Sequence, residues 1–412
     1  MKLRLTISFA LLCLQANAQL EYAKSMAKTI MLQYQDSMVV KKYVGHMEQD
    51  NLVKPGQTVE QAQANRPANW NYEIGVVLMG FERLWKVTGD HTYVDYSKHI
   101  VDHFITPQGG IRTYVMDEYN SDNIPTGRIL LFLNDLYKEP RYKTAIKTLR
   151  DQVAWQPRNK AGGFWHKLKY PSQMWLDGLY MVEPFYAGYA VRNHQPQDFD
   201  DIINQFVTME RHSRDAKTGL LYHGWDESRL QKWANPKTGL SPEFWSRAMG
   251  WYIMALVDVL DDIPASHPRR HELTAILNRL SKALVAFQDK PSGVWWQVTN
   301  KGGQQGNYLE SSATAMFVYG LAKAENKGYI NASYLPAIRK GYKGMIKEFV
   351  EQDKQGNYHY MRAVAGAGLG GTPYRDGSYD YYVKEPKRDD DLKAIGPFIQ
   401  ACIEVDKLSR KK

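Results

Sequence analysis

Cysteine is almost absent: Cys13 and Cys402 are the two in a chain of 412 residues. No Cys-x-x-Cys occurs, so a disulfide framework and a thiolate metal site are both excluded. Long hydrophobic runs are lacking as well. Leu5 to Leu14 is apolar but too short to span a bilayer, and no later stretch approaches the length of a membrane helix. His271-Glu272-Leu273-Thr274-Ala275 opens like a zinc-protease helix but has no second histidine. No Gly-x-Ser-x-Gly nucleophile turn is present. Gly366, Gly368 and Gly371 keep the spacing of a dinucleotide loop, but Thr372-Pro373-Tyr374 follows where a helix is required. That stretch is read as a flexible loop. The formal charge is +9, yet the basic residues are scattered rather than gathered into a stripe. No nucleic-acid or membrane partner is expected.

What remains is an ordinary globular composition with an aromatic excess. Hydrophobic residues make up 43%, charged residues 24% and aromatics 12%, including 27 Tyr and 11 Trp. So many aromatics suit a large helical core or a surface that stacks on sugar-like ligands. Lys2 and Arg4, the apolar run after them and Ala16-Asn17-Ala18 read as a secretory signal peptide over residues 1–18. The mature chain is then expected from Gln19 onward, secreted or periplasmic, with Cys402 its one thiol. No linker or low-complexity segment divides residues 19–412, so one catalytic domain is expected there, acting as a monomer.

Apolar residues recur at helical spacing in twelve segments: 22–38, 71–87, 92–105, 122–138, 140–153, 175–192, 198–212, 244–262, 270–288, 310–326, 333–350 and 391–407. They alternate in kind. Every second one is apolar nearly all round, as in Ile74 to Phe81, Gly250 to Leu256 and Ala313 to Tyr319, and such a helix is buried on all sides. The others carry a charged face, as with Arg339, Lys340 and Lys343. Six inner and six outer helices in alternation predict an all-α toroid, an (α/α)6 barrel. Segments 163–168, 219–224 and 293–298 alternate between glycines and predict small β-hairpins in the loops.

Polar residues gather where loops enter the inner helices. Asp122 and Asn123 precede one, Asp177 sits in Trp175-Leu176-Asp177-Gly178-Leu179-Tyr180-Met181, Arg247 lies between Trp245 and Trp251, and Glu310 opens the fifth. Asp122 and Glu310 have the ordinary alternative of capping a helix. Asp177 does not: a carboxyl among Trp175, Leu176, Leu179 and Met181 has to be paired or functional. Trp245 and Trp251 suit a plain core equally well, but an arginine between them then needs an anion. His166 and His223 divide evenly between satisfied loop histidines and site residues.

These motifs, together with Gly377-Ser378-Tyr379 and Gly396-Pro397-Phe398, resemble glycoside hydrolase family 105, the unsaturated rhamnogalacturonyl hydrolases, from about Trp70 to Phe398. The resemblance implies an (α/α)6 barrel with Asp177 as the catalytic acid/base and Asp122 as the second acidic site residue. It places Tyr72, Asn123, His166, His223, Trp245, Arg247 and Trp251 around the substrate. Ser246 and Met249 depart from the family pattern. The implied substrate is an oligosaccharide ending in a 4,5-unsaturated uronate, left by a polysaccharide lyase. Protonating such an enol ether needs no Lewis acid, so neither metal nor cofactor is expected. An inverting glycosidase using Asp122 and Asp177 about 6.5–9.5 Å apart, or a non-catalytic sugar-binding barrel, would share these residues.

Overall fold

A computed structural model describes residues 19–35, 38 and 69–411. The signal-peptide reading of residues 1–18 lies outside the described residues. The chain forms α1 (19–33), α2 (Tyr72–Thr88), α3 (Thr92–Phe104), α4 (Gly127–Tyr137), α5 (Pro140–Trp155), α6 (Leu176–Arg192) and α7 (Asp198–Ser213). It continues through α8 (Ser246–Asp262), α9 (Arg270–Ala286), α10 (Ser311–Asn326), α11 (Leu335–Phe349), the short α12 (Tyr379–Lys384) and α13 (Leu392–Arg410).

The packing closes a ring. α2 packs on α4, α4 on α6, α6 on α8, α8 on α10, α10 on α13, and α13 returns to α2. Each of α3, α5, α7, α9 and α11 lies against the inner helix before it. This is the (α/α)6 barrel that the sequence predicts. The two helix kinds differ as expected: every residue of α8 from Ser246 to Leu260 is buried. In α7 the buried apolar positions are Phe199, Ile202, Ile203, Phe206 and Met209, one stripe at helical spacing. Close approach of inner helices needs glycine at Gly396, where an added Cβ would stand 2.4 Å from the Val76 carbonyl oxygen.

Away from the loops that carry the site, toward the C-terminal ends of α2, α8 and α10, the barrel is tied by charge. Asp258 accepts from Arg83 at 2.8 Å, Arg128 at 2.8 Å and Lys323 at 2.6 Å. A polar basin of about 270 Å³ opens there. Among the described residues no helix is long and apolar enough to cross a membrane.

The strands refine the sequence reading. Segments 163–168, 219–224 and 293–298 each pair antiparallel with nearby chain, but through single bridges, Arg158–Phe164, Arg214–Leu221 and Trp296–Leu309, and 293–298 also reaches Trp245 through Val298. The longest-range strand pair joins two distant loops. β1 (Gln173–Trp175) runs antiparallel to β2 (Gly224–Asp226), with Trp175 opposite Gly224. β3 (Val350–Gln352) pairs with β4 (Tyr358–Tyr360), and β5 (Ala363–Val364) with β6 (Lys387–Arg388).

The glycine-rich stretch after Val364 is likewise not free. Leu369 is fully buried, and Gly370 bridges to Arg375. Arg375 donates to the Gly370 carbonyl at 2.8 Å and to the Tyr170 hydroxyl at 2.7 Å. One apolar anchor and one guanidinium hold the loop across the mouth.

Candidate active site

Asp177 stands in the first turn of α6, directly after β1. The β1–β2 pairing fixes that turn against the loop bearing His223, because the Leu176 amide donates to the His223 carbonyl at 3.0 Å. Nε2 of His223 lies 3.2 Å from Oδ2 of Asp177. The approach is off-line, and neither atom takes a well-aligned hydrogen bond among the described residues. Such contacts often tighten only around substrate. On its other side, Nδ1 of His223 is 2.7 Å from the Tyr382 hydroxyl. Gly178 leaves room for His166, whose Nδ1 would be 3.2 Å from a Cβ at that position.

Asp122 lies in a short 3-10 turn (Ser121–Asn123), held by the Asn120 side chain, which accepts from the Asp122 amide at 3.1 Å. Its carboxylate pairs with Lys167 and stands 3.6 Å from Nε2 of His166. Burial alone would raise this carboxyl, but Lys167 outweighs it and holds Asp122 below the ordinary aspartate range. Asp122 is therefore a carboxylate at neutral pH. Burial of the His166 ring pushes its pKa down to about 4 against the pull of Asp122, so the imidazole is neutral there. Its Nδ1 meets the Ser121 hydroxyl at 3.2 Å. Asn123 is buried beside them, with its carbonyl accepting from Trp70 at 2.7 Å.

The two acid–histidine pairs are bridged by one indole. Trp175 stacks on His166 at 4.4 Å and meets His223 edge-on at 5.4 Å. Tyr170 stacks on the same indole at 4.9 Å. Tyr72 is half-buried at the start of α2, edge-on to Trp251 at 5.9 Å. Burial, then Glu73 and Asp122, push its phenol well above the ordinary range.

Three expectations change. Arg247 is 1% exposed, and its anion is within the chain: Nη2 lies 3.8 Å from Glu310 and donates to the Val364 carbonyl. Its Nε donates to Ser312 at 2.7 Å. Glu310 is itself an N-cap, accepting from the amides of Ser312 at 3.2 Å and Ala313 at 2.7 Å. Trp251 is 1% exposed and tilted on Tyr180 at 4.7 Å. Trp245 is 2% exposed, stacked on Tyr382 at 5.8 Å, with its Nε1 donating to Gln297 at 3.2 Å. Both rings pack against protein, so they do not offer an open face to a sugar.

Sequence reading missed Trp175, Lys167, Tyr170 and Tyr382 as site residues. Trp175 and Lys167 flank residues it singled out. Tyr382 is reached only through tertiary structure, because α12 brings it to His223 from 159 positions away. Among the described residues no group of three or more His, Cys, Asp or Glu could hold a metal ion.

The model of Glycosyl Hydrolase Family 88 matches residues 26–409. Protein Atu3128 of Agrobacterium fabrum is 40% identical over 233 residues, 55% of this chain and 99% of that protein. The unsaturated rhamnogalacturonyl hydrolase YesR of Bacillus subtilis is 27% identical over 252 residues, 60% of this chain and 68% of that enzyme. A glycoside hydrolase from family 105 of C. acetobutylicum superposes with a TM-score of 0.81 at 43% identity, over 82% of this chain and 93% of that one. A family match from residue 26 to residue 409 and a family 105 relative of 43% identity have one reading: this chain belongs to the glycosyl hydrolase 88 and 105 families.

Proposed function

We propose that this chain removes the 4,5-unsaturated uronic acid from the non-reducing end of lyase-generated oligosaccharides by hydrating the C4=C5 bond. The observation that carries the reading is the unequal pairing of the two site carboxyls. Asp122 is held as an anion by Lys167 and has no proton to give. Asp177, among the described residues, faces only the off-line Nε2 of His223. The proton donor therefore falls to Asp177.

The chemistry follows from the substrate. The bond is an enol ether conjugated to a carboxylate. A proton goes to C4, water adds at C5, and the water's surplus proton returns to the donor carboxyl. The resulting hemiketal opens at C5, and the C1 hemiacetal then releases the next sugar as an alcohol. Asp177 gives and retakes the proton. Asp122, with its negative charge on the same mouth, suits stabilising positive charge that develops at C5. The relative named for rhamnogalacturonyl substrates makes a pectin-derived unsaturated rhamnogalacturonan fragment the first to try. On the same reading residues 1–18 direct export, where lyase products arise, and the exported chain acts as a monomer.

The test is purified protein with a panel of lyase-generated oligosaccharides. Loss of the ultraviolet absorbance of the double bond, with release of the shortened sugar, is the expected result. Cleavage of saturated acidic glycosides alone would return the inverting glycosidase. Binding without turnover would leave a sugar-binding barrel.

A further inference from the structure

Tyr382 is fully buried behind His223 and Trp245 and is held on two sides. Its ring lies on Trp245 at 5.8 Å and 21°, and its carbonyl accepts from Gln297 at 3.1 Å. Gln297 in turn accepts from the Trp245 indole at 3.2 Å. These two side chains fix where the Tyr382 hydroxyl points, and it points at Nδ1 of His223, 2.7 Å away.

We propose that Tyr382 is a positioning residue: by donating to Nδ1 of His223 it keeps the ring proton on Nε2, 3.2 Å from Oδ2 of Asp177, so that Oδ2 is the oxygen held by His223 when substrate is bound and Oδ1 is the one that gives the proton. The proposal rests on the unsaturated uronyl hydrolase reading above and deepens it.

Two independent requirements select the same tautomer. The Tyr382 ring is fully buried, and among the described residues His223 is the one recorded partner of its hydroxyl. A buried O–H left without an acceptor costs far more than a lone pair left without a donor, so the hydroxyl donates. Nδ1 is then the acceptor nitrogen and the ring proton lies on Nε2. At the other end, Nε2 and Oδ2 are both buried and have no other hydrogen-bond partner among the described residues. An Nε2–H 3.2 Å from Oδ2, off-line as it stands, needs only a small turn to meet an acceptor. A bare Nε2 facing a carboxylate oxygen would set lone pair against lone pair. Burial keeps the Tyr382 phenol well above its ordinary range, so its proton is always available.

The consequence is directional. Once Nε2–H comes into line with Oδ2 around substrate, that oxygen is the acceptor and the acid proton is given from Oδ1, the oxygen left for substrate. As that proton leaves for C4, negative charge grows on the carboxyl, and the Nε2–H bond strengthens because its acceptor becomes ionised. The transition state gains more than the ground state.

The test reads the tautomer first. The intact protein, labelled with nitrogen-15 histidine, gives long-range proton–nitrogen correlations for each ring, with His223 assigned by His223→Gln. Nε2–H in the wild type is expected, with a mixture of tautomers in Tyr382→Phe. Nδ1–H in the wild type overturns the proposal, and this measurement needs no variant to fold. Kinetics follow. Tyr382→Phe should lower kcat about ten- to hundred-fold with KM within about twofold, because binding groups are untouched. In an Asp177→Asn background the same change should cost nothing further. Undiminished turnover, or a loss that persists in full without Asp177, reduces Tyr382 to packing and ends the proposal. The tautomer is read without turnover. A protein inactive on unsaturated uronides therefore defeats the proposed function while the spectrum still decides on Tyr382.

Discussion

The imidazole of His166 lies flat on the indole of Trp175, ring centres 4.4 Å apart and planes 19° from parallel. The same indole, two residues before Asp177 in the chain, meets His223 edge-on. One side chain therefore sets the spacing between the Asp122–His166 pair and the Asp177–His223 pair. No hydrogen bond joins the two pairs directly among the described residues, so their relative placement depends on this aromatic contact.

Trp175→Leu should fold and yet lose about a hundred-fold in kcat, because small displacements of reacting groups are costly. Trp175→Phe keeps a flat ring on His166 and should retain more activity than the leucine variant. The check is kcat for the three proteins together with a circular dichroism melt. A leucine variant as active as the phenylalanine one would show that stacking is not what orients His166.

Arg247 is predicted to act on stability. Removing it leaves Glu310 buried without its cation and strips a donor from the Val364 carbonyl. Arg247→Ala should destabilise the protein by about 3–5 kcal/mol, measured as a shifted urea midpoint. Unchanged unfolding together with a raised KM would restore Arg247 to the substrate carboxylate, as sequence reading had it.

What the sequence disclosed follows from what local pattern can record. The barrel was legible because an all-apolar helix such as α8 can be buried only on every side, and the alternation with striped helices such as α7 fixes which ring each joins. Asp177 was legible because a carboxyl in apolar company needs an explanation. Glu310 shows the opposite outcome: the ordinary capping role is what the structure gives it. Arg247 was misread because its counter-ion is 63 residues away, and sequence does not show which charges meet. Trp245 was misread for a related cause, since its stacking partner Tyr382 arrives on α12. The hairpins were legible as short local pairings, but the β1–β2 pair was not, because alternation reveals two environments and not a distant partner strand.

Asp258 should govern acid stability. Burial would raise its carboxyl, but Arg83, Lys323 and Arg128 outweigh that and hold it well below the ordinary range. A depressed native pKa contributes stability that is fully present above the unfolded value of about 3.9 and is lost as pH falls through the native one. Asp258→Asn leaves three buried or nearly buried cations under-compensated and should cost about 3–5 kcal/mol at pH 7. The gap to wild type should stay level down to about pH 4 and narrow below it. Urea unfolding at several pH values checks both features. Equal stability at pH 7, or a gap that widens in acid, would contradict the assignment.

Asp177→Asn tests the mechanism itself. The amide keeps the shape of the side chain and can still accept from His223, so the fold of β1 and α6 should persist. It cannot deliver a proton to C4. A positioned Brønsted acid contributes roughly 10²–10⁴-fold, so turnover should fall by at least the lower figure. Substrate affinity should be nearly unchanged, because Asp122, Lys167 and the aromatic residues around the mouth remain. In heavy water the wild-type reaction should place deuterium on C4 of the opened product, since that hydrogen comes from solvent through Asp177. Direct displacement at the glycosidic carbon would first release the ring-closed sugar with its double bond intact and no deuterium on C4, so ultraviolet absorbance would outlast release of the shortened sugar. Asp122→Asn separates the two carboxyls: Asp122 is already ionised at neutral pH, so its loss should lower kcat while C4 labelling persists. Absence of C4 deuterium in the wild-type product, or near-normal turnover by Asp177→Asn, would remove hydration as the chemistry and make Asp122 and Asp177 the acid and base of an ordinary glycosidase.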